Sequence, residues 1–146
     1  PMGIGENTYK VLMIGDYVEH PFDVSHKVWE MSNRQSAANG GLMRTSVTGL
    51  FPKEVRTCPE NICKLTHYDP RCVGSCVIVS ELIHTLVYGI QTPTLFQIRS
   101  LAQLYDINIC EYVDKAWIDS DVKNLVDLSL KRFWMAKDTL IQLYHL

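Results

Sequence analysis

The chain has 146 residues, 47% of them hydrophobic, the size and apolar content of one domain around one core. Its 14 basic and 16 acidic residues give a net charge of -2 and are scattered without blocks of one sign, which speaks against nucleic acid as a main partner. No apolar run reaches the roughly 18 residues needed to cross a bilayer and no basic-then-apolar leader opens the chain, so a soluble, cytoplasmic protein with no membrane partner is expected.

Pro1 is not a natural start whereas Met2 is, so Pro1 reads as an expression remnant. Strand signals are weak and three-to-four-residue apolar spacing is common, which predicts an all-α, single compact domain over 1–146. Asn7 or Thr8 is positioned to cap a short helix through Tyr9, Val11, Leu12 and Ile14. Asp23, after Pro21 and Phe22, reads as the N-cap of a helix carrying Val24, Val28 and Met31. A polar loop over 32–41 ends in Asn-Gly-Gly, and a helix is expected from Leu42 to Thr48 with Gly49 as terminator and Pro52 beyond. Pro59 opens a short helix through Ile62 and Leu65.

The clearest signal follows: Asp69 caps, Pro70 takes the first helical position, and Val73, Cys76, Val77, Ser80, Ile83 and Val87 share a face until Gly89 stops the helix. Thr94 through Tyr105 reads as a shorter helix with Leu95, Ile98, Leu101 and Tyr105 on one side. No element is assigned to 106–119. Ser120 or Asp119 caps a long helical pattern containing Val122, Leu125, Val126, Phe133, Trp134, Leu140, Ile141 and Tyr144.

The five cysteines are an odd number with no secretion signal, so reduced and largely buried thiols are expected. The series Cys58, Cys63, His67, Cys72 and Cys76 raises zinc as an alternative. Its steps follow helical turns, though, and lack the close cysteine pair and long spacer of zinc sites.

Two segments point to a ligand. Gly40 and Gly41 stand where a helix begins, and glycine there permits unusual dihedrals and close backbone approach. The first amides of a helix have no internal partner and favour anions. A capped turn without ligand is the plainer alternative. His67, between Thr66 and the capping Asp69, is placed to offer an imidazole face or donor, the alternative being a histidine bonded to backbone. Serines, cysteines and histidines form no recognisable nucleophile and base pattern.

The stretch from Ala37 to Phe51 (AANGGLMRTSVTGLF), followed by Ile62 to Val77 (ICKLTHYDPRCVGSCV), resembles two adjacent signatures of the ADP-ribosylglycohydrolase family, which includes the J1-type crystallins. The opening Gly3 to Thr8 and the stretch Lys27 to Thr45 are similar to a microbial branch of it. The likeness covers roughly residues 3–90, the central portion of the family fold, and two linked motifs are more specific than either alone.

The resemblance implies an all-helical fold with two magnesium ions among carboxylates at the floor of a cleft. It implies an Asn-Gly loop contacting the phosphates and ribose of ADP-ribose, with the histidine of the Thr-His motif facing the nucleotide. Carried onto this chain, the ligand-binding residues are Ser36, Asn39, Gly40, Gly41, Met43 and Arg44, with His67 opposite. Gln35 and Ala38 stand where many members have glycine, which narrows the backbone conformations open to the loop.

The family's metal-binding Asp-Asp-Thr and Gly-Asp-x-Asp-Thr segments do not occur here, and Asp138-Thr139 lacks their flanking glycine and second aspartate. Asp114, Asp119 and Asp121 read as solvated or capping residues. No catalytic or metal-binding residue is therefore assigned, and no cofactor is expected in this chain. The expectation is a truncated, hydrolase-like protein that retains a site for ADP-ribose or an ADP-ribosylated substrate, with hydrolysis requiring carboxylates from a partner or missing segments. The alternative is a non-enzymatic pseudoenzyme, a binding or structural protein that reuses the scaffold. A full family domain is about twice this length, so helix faces would lack partners, predicting a homo-oligomer built around Phe133, Trp134, Leu140, Ile141 and Tyr144.

Overall fold

The computed structural model describes residues 4–118, and among them every regular element is helical. In chain order these are α1 (Glu6–Leu12), a 3-10 turn (Gly15–Tyr17), α2 (Pro21–Met31), α3 (Gly40–Thr45) and a 3-10 turn (Ser46–Leu50). α4 (Thr57–Lys64), α5 (Pro70–Val87), α6 (Leu95–Tyr105) and α7 (Asn108–Ile118) complete the order. The cap expected at Asp119 or Ser120, the helix expected over 122–144 and the oligomer contact expected on Phe133, Trp134, Leu140, Ile141 and Tyr144 lie outside the described residues.

α5 is the axis of the domain. It starts as its sequence indicates, with Asp69 Oδ1 accepting from the Arg71 amide at 3.0 Å and Pro70 at the first helical position. It is buried on more than the one expected face: Cys72 through Ser80 are buried without a break, whereas Val87 is exposed. By length and composition α5 is apolar enough to cross a membrane, but 61% of it is buried inside the protein, as a core helix requires. Around it pack α3 and the following 3-10 turn, α4, α6 and α7. A smaller apolar group, Val11, Val24 and Val28 with Ile14 and Tyr17, fastens α1 to α2.

Several boundaries differ from expectation for identifiable reasons. α1 is entered through Gly5, and Asn7 does not cap because its amide is committed elsewhere: Nδ2 donates to Thr66 O at 2.7 Å and Oδ1 accepts from Ser36 Oγ at 2.6 Å. α2 starts two residues before Asp23, because Pro21 is tolerated where the amide has no intrahelical partner. Asp23 sits in that first turn, where its charge opposes the helix dipole. Met31 is exposed, not part of the buried face.

α4 likewise starts at Thr57, ahead of Pro59. α3 begins at Gly40, and the run to Thr48 divides into an α-helix and a tighter turn, with the Thr48 hydroxyl donating back to Thr45 O at 2.7 Å. Gly49 lies inside that turn and serves the crossing with α5, since a methyl built on it would stand 2.6 Å from Ser80 O. α7, in a stretch where the local pattern assigns no element, buries Ile109, Cys110, Val113 and Ala116 against the core. Gly74 of α5 admits it, because a methyl there would lie 2.6 Å from Ile109 Cδ1 and 2.7 Å from Tyr105 Cβ.

Candidate functional site

The two segments singled out in the sequence meet. The loop before α3 and the turn between α4 and α5 pack against each other, and the His67 ring fills the space left by the paired glycines. A methyl built on Gly40 would lie 3.3 Å from both Cε1 and Nε2 of His67. One built on Gly41 would lie 2.9 Å from Cys63 Sγ and 3.4 Å from His67 Cβ and Cγ. Neither glycine has a positive φ, so the expectation of unusual dihedrals is corrected: close approach is the reason, and it is tighter at Gly41 than at Gly40.

His67 is 1% exposed. Its Nδ1 shares a 2.8 Å hydrogen bond with the Thr66 hydroxyl, while Nε2 has no hydrogen-bond partner among the described residues. Burial, aided by the nearby Arg44 charge, lowers its pKa to about 4, so the imidazole is neutral near pH 7. A neutral ring presents one donor and one acceptor, and contributes no positive charge towards a phosphate.

The other predicted residues divide by position. Ser36, Asn39 and Gly40 are half-buried, Gly41 is buried and Met43 is exposed. Asn39 precedes α3 without capping it; its Nδ2 donates to Met43 Sδ at 3.7 Å. The Arg44 guanidinium turns inward and donates to Ile62 O at 3.0 Å and Cys63 O at 3.1 Å, where the negative end of α4 lies. Arg44 thus joins α3 to α4 directly beneath the loop.

The turn has a buried anchor. Asp69, 1% exposed, accepts from Arg71 Nε at 2.7 Å and Nη2 at 2.6 Å, and from Trp29 Nε1 at 3.0 Å. Arg71 Nη2 also donates to Arg34 O at 3.3 Å, and Cys72 Sγ donates to Ala38 O at 3.2 Å, so the head of α5 holds the loop at two points. That loop opens on Asn33 and Arg34 in the left-handed region, with φ of 54° and 59°. Arg34 is held there by Glu30 at 3.3 Å and by stacking 5.2 Å from the Trp29 ring centre.

Trp29, His26 and Tyr68 form a half-buried aromatic group beside the turn, with His26 4.6 Å from Tyr68 and 5.7 Å from Trp29. Lys64 stands 5.6 Å above Tyr68. The sequence reading missed Trp29 and Asn7 as site residues. An indole N–H on a half-buried helix needs an acceptor, but nothing in the local pattern identifies Asp69 as that acceptor.

Cys63, Cys72, Cys76 and Cys110 are buried and Cys58 is half-buried, all as free thiols. The neighbouring Cys76 thiol and burial push the Cys63 thiol well up, away from nucleophilic reactivity. A groove of about 500 Å³ lies elsewhere, between the end of α5 and α6, lined among others by Glu81, Ile90, Phe96, Leu101 and Leu104. It contains none of the ligand-binding residues that the resemblance implies.

Among the described residues no group of three or more His, Cys, Asp or Glu side chains is placed to hold a metal ion. Asp114 is paired with Arg99, and Asp119, Asp121 and Asp138 lie outside the described residues. The model of the ADP-ribosylglycohydrolase family matches residues 1–142. No curated protein and no solved structure matches the chain.

Proposed function

The chain belongs to the ADP-ribosylglycohydrolase family, and we propose that its Asn-Gly loop and Thr-His turn bind ADP-ribose or the ADP-ribosyl part of a modified substrate. The match extends well past the roughly 90 residues on which the resemblance rested and embraces both motifs. The observation that carries the reading is the seating of His67 against Gly40 and Gly41, which makes the two motifs one wall. Ser36, Asn39 and Met43 border that wall, and Arg44 holds its base to α4. His67 is a neutral hydrogen-bonding face in this reading, and the phosphates are left to loop amides and polar side chains.

The described residues do not fit the family's metal pair, since a hard cation requires several oxygen ligands and no such group of side chains stands together among them. Hydrolysis is therefore assigned only to a site completed by carboxylates from beyond residues 4–118, and no step is derived through a metal here. The inward commitment of Arg44 and the near-complete burial of His67 favour a second reading, a scaffold protein whose site is packed shut.

Calorimetric titration with ADP-ribose, with and without magnesium, separates the two. The proposal expects saturable binding that Asn39→Ala weakens at least tenfold in a folded protein. Magnesium-enhanced binding points to carboxylates outside the described residues. Absence of binding in both conditions leaves the scaffold reading.

A further inference from the structure

The loop and the turn contact each other through His67, but a third element ties them by hydrogen bonds. Asn7 of α1 receives the Ser36 hydroxyl on Oδ1 at 2.6 Å and gives Nδ2 to Thr66 O at 2.7 Å. Thr66 in turn engages His67 Nδ1 at 2.8 Å. One carboxamide therefore joins Ser36, 29 residues away, to Thr66, 59 residues away. The chemistry uses both ends of an amide: an acceptor for the loop hydroxyl and a donor for the turn carbonyl. Aspartate supplies only the first, and alanine neither. Thr8 adds a contact on the same side, since its Oγ1 lies 3.8 Å from where a methyl on Gly40 would be.

We infer that Asn7 is a positioning residue for the ADP-ribose site, a clamp that sets the spacing between the Asn-Gly loop and the Thr-His turn without itself holding the ligand. The inference rests on the proposed reading of the site. Both arms end on residues adjoining or within the two motifs, whereas the rest of α1 presents one buried side chain, Val11, to the protein. An amide spent on a cap would have served the helix; here it serves two distant segments, and α1 begins without a side-chain cap.

Three variants of the full chain test this: Asn7→Asp, which keeps the Ser36 arm and severs the Thr66 arm; Ser36→Ala, which does the reverse; and Asn7→Ala, which severs both. ADP-ribose dissociation constants are measured alongside residue-resolved amide exchange. Loss of one neutral hydrogen bond predicts about a five- to tenfold weaker Kd in Ser36→Ala, and Asn7→Asp, which sets a carboxylate against the Thr66 carbonyl, should weaken binding by more than that. Because Ser36 also borders the proposed site, the clamp predicts that Ser36→Ala and Asn7→Ala combined weaken binding by less than the product of their separate fold losses, and a full product overturns it.

The Thr66 and His67 amides, both bonded to Cys63 O at 3.2 and 2.8 Å, should exchange faster in the two Asn7 variants. The Gln35 amide, bonded to Ser32 O at 3.2 Å, should exchange faster when the Ser36 arm is cut. Folded variants with wild-type affinity overturn the inference whatever their melting temperature, because a purely structural residue would move stability alone. Asn7→Asp, read by amide exchange at Thr66 and His67 beside affinity, keeps the test decisive if Asn7→Ala does not fold. A wild-type chain that takes up no ADP-ribose defeats the reading of the site, and unchanged exchange at Thr66, His67 and Gln35 defeats the clamp.

Discussion

Gly41→Ala is the sharpest test of why two glycines stand together at the head of α3. The new methyl would sit 2.9 Å from Cys63 Sγ, at least about 0.6 Å inside the ~3.5–4.0 Å separation at which carbon contacts are most favourable. Cys63 has little room to yield, being 0% exposed with its thiol donating to His67 O at 3.4 Å. Overpacking of this kind costs about 1–3 kcal/mol, and the better helix propensity of alanine returns at most about 1 kcal/mol. A net loss of about 1–2 kcal/mol, or roughly 3–8 °C in Tm for a chain of this size, is expected in a thermal melt.

The double variant Gly41→Ala with Cys63→Ala supplies the internal control. Removing the sulfur costs about 1 kcal/mol or more by itself as a buried cavity, but it also vacates the space that the methyl needs. The pair should therefore be more stable than the sum of the single losses predicts, by about 1 kcal/mol. Additivity within about 0.5 kcal/mol, or a Gly41→Ala chain more stable than wild type, would refute the close-approach argument.

Three further outcomes follow from the same geometry. His67 titrates near 6.5 when unfolded and about 4 when folded; between these values only the unfolded chain binds its proton. Its contribution is therefore complete above pH 6.5, declines by up to about 3 kcal/mol as pH falls to 4, and changes no further below that. Urea melts of His67→Gln should lack that part of the slope, and an unchanged pH profile would place the imidazole in water.

Trp29→Phe removes one donor from the buried Asp69 carboxylate and should cost about 2 kcal/mol in urea unfolding; a loss below about 0.5 kcal/mol would mean that Arg71 alone satisfies Asp69. Gly49→Ala drives a methyl against a backbone oxygen of α5 and should cost about 3 kcal/mol or more. A melting temperature equal to wild type would show that the crossing is looser than described.

The sequence by itself determined the helical class, the family and the start of the central helix. These are carried by local patterns: a three-to-four-residue apolar period, Asp69 before Pro70, and Thr94 ahead of α6, where the capping box with Gln97 is realised. It also brought forward the glycine pair and the Thr-His turn, because those residue types are unusual at those places.

Tertiary structure decided what they do. Only the packing of α4 against α5 puts His67 over Gly40 and Gly41, turns Arg44 to the carbonyls of Ile62 and Cys63, and sends the Asn7 amide to Ser36 and Thr66 instead of a cap. α7 escaped the sequence reading although Ile109, Val113 and Ala116 repeat at helical spacing, since so short a stripe acquires its meaning from Gly74 and Tyr105 beneath it. Propensity and capping act over a few residues and are written along the chain. The direction of a side chain between two helices is set by which neighbours fill the remaining space, and those neighbours come from segments dozens of residues apart.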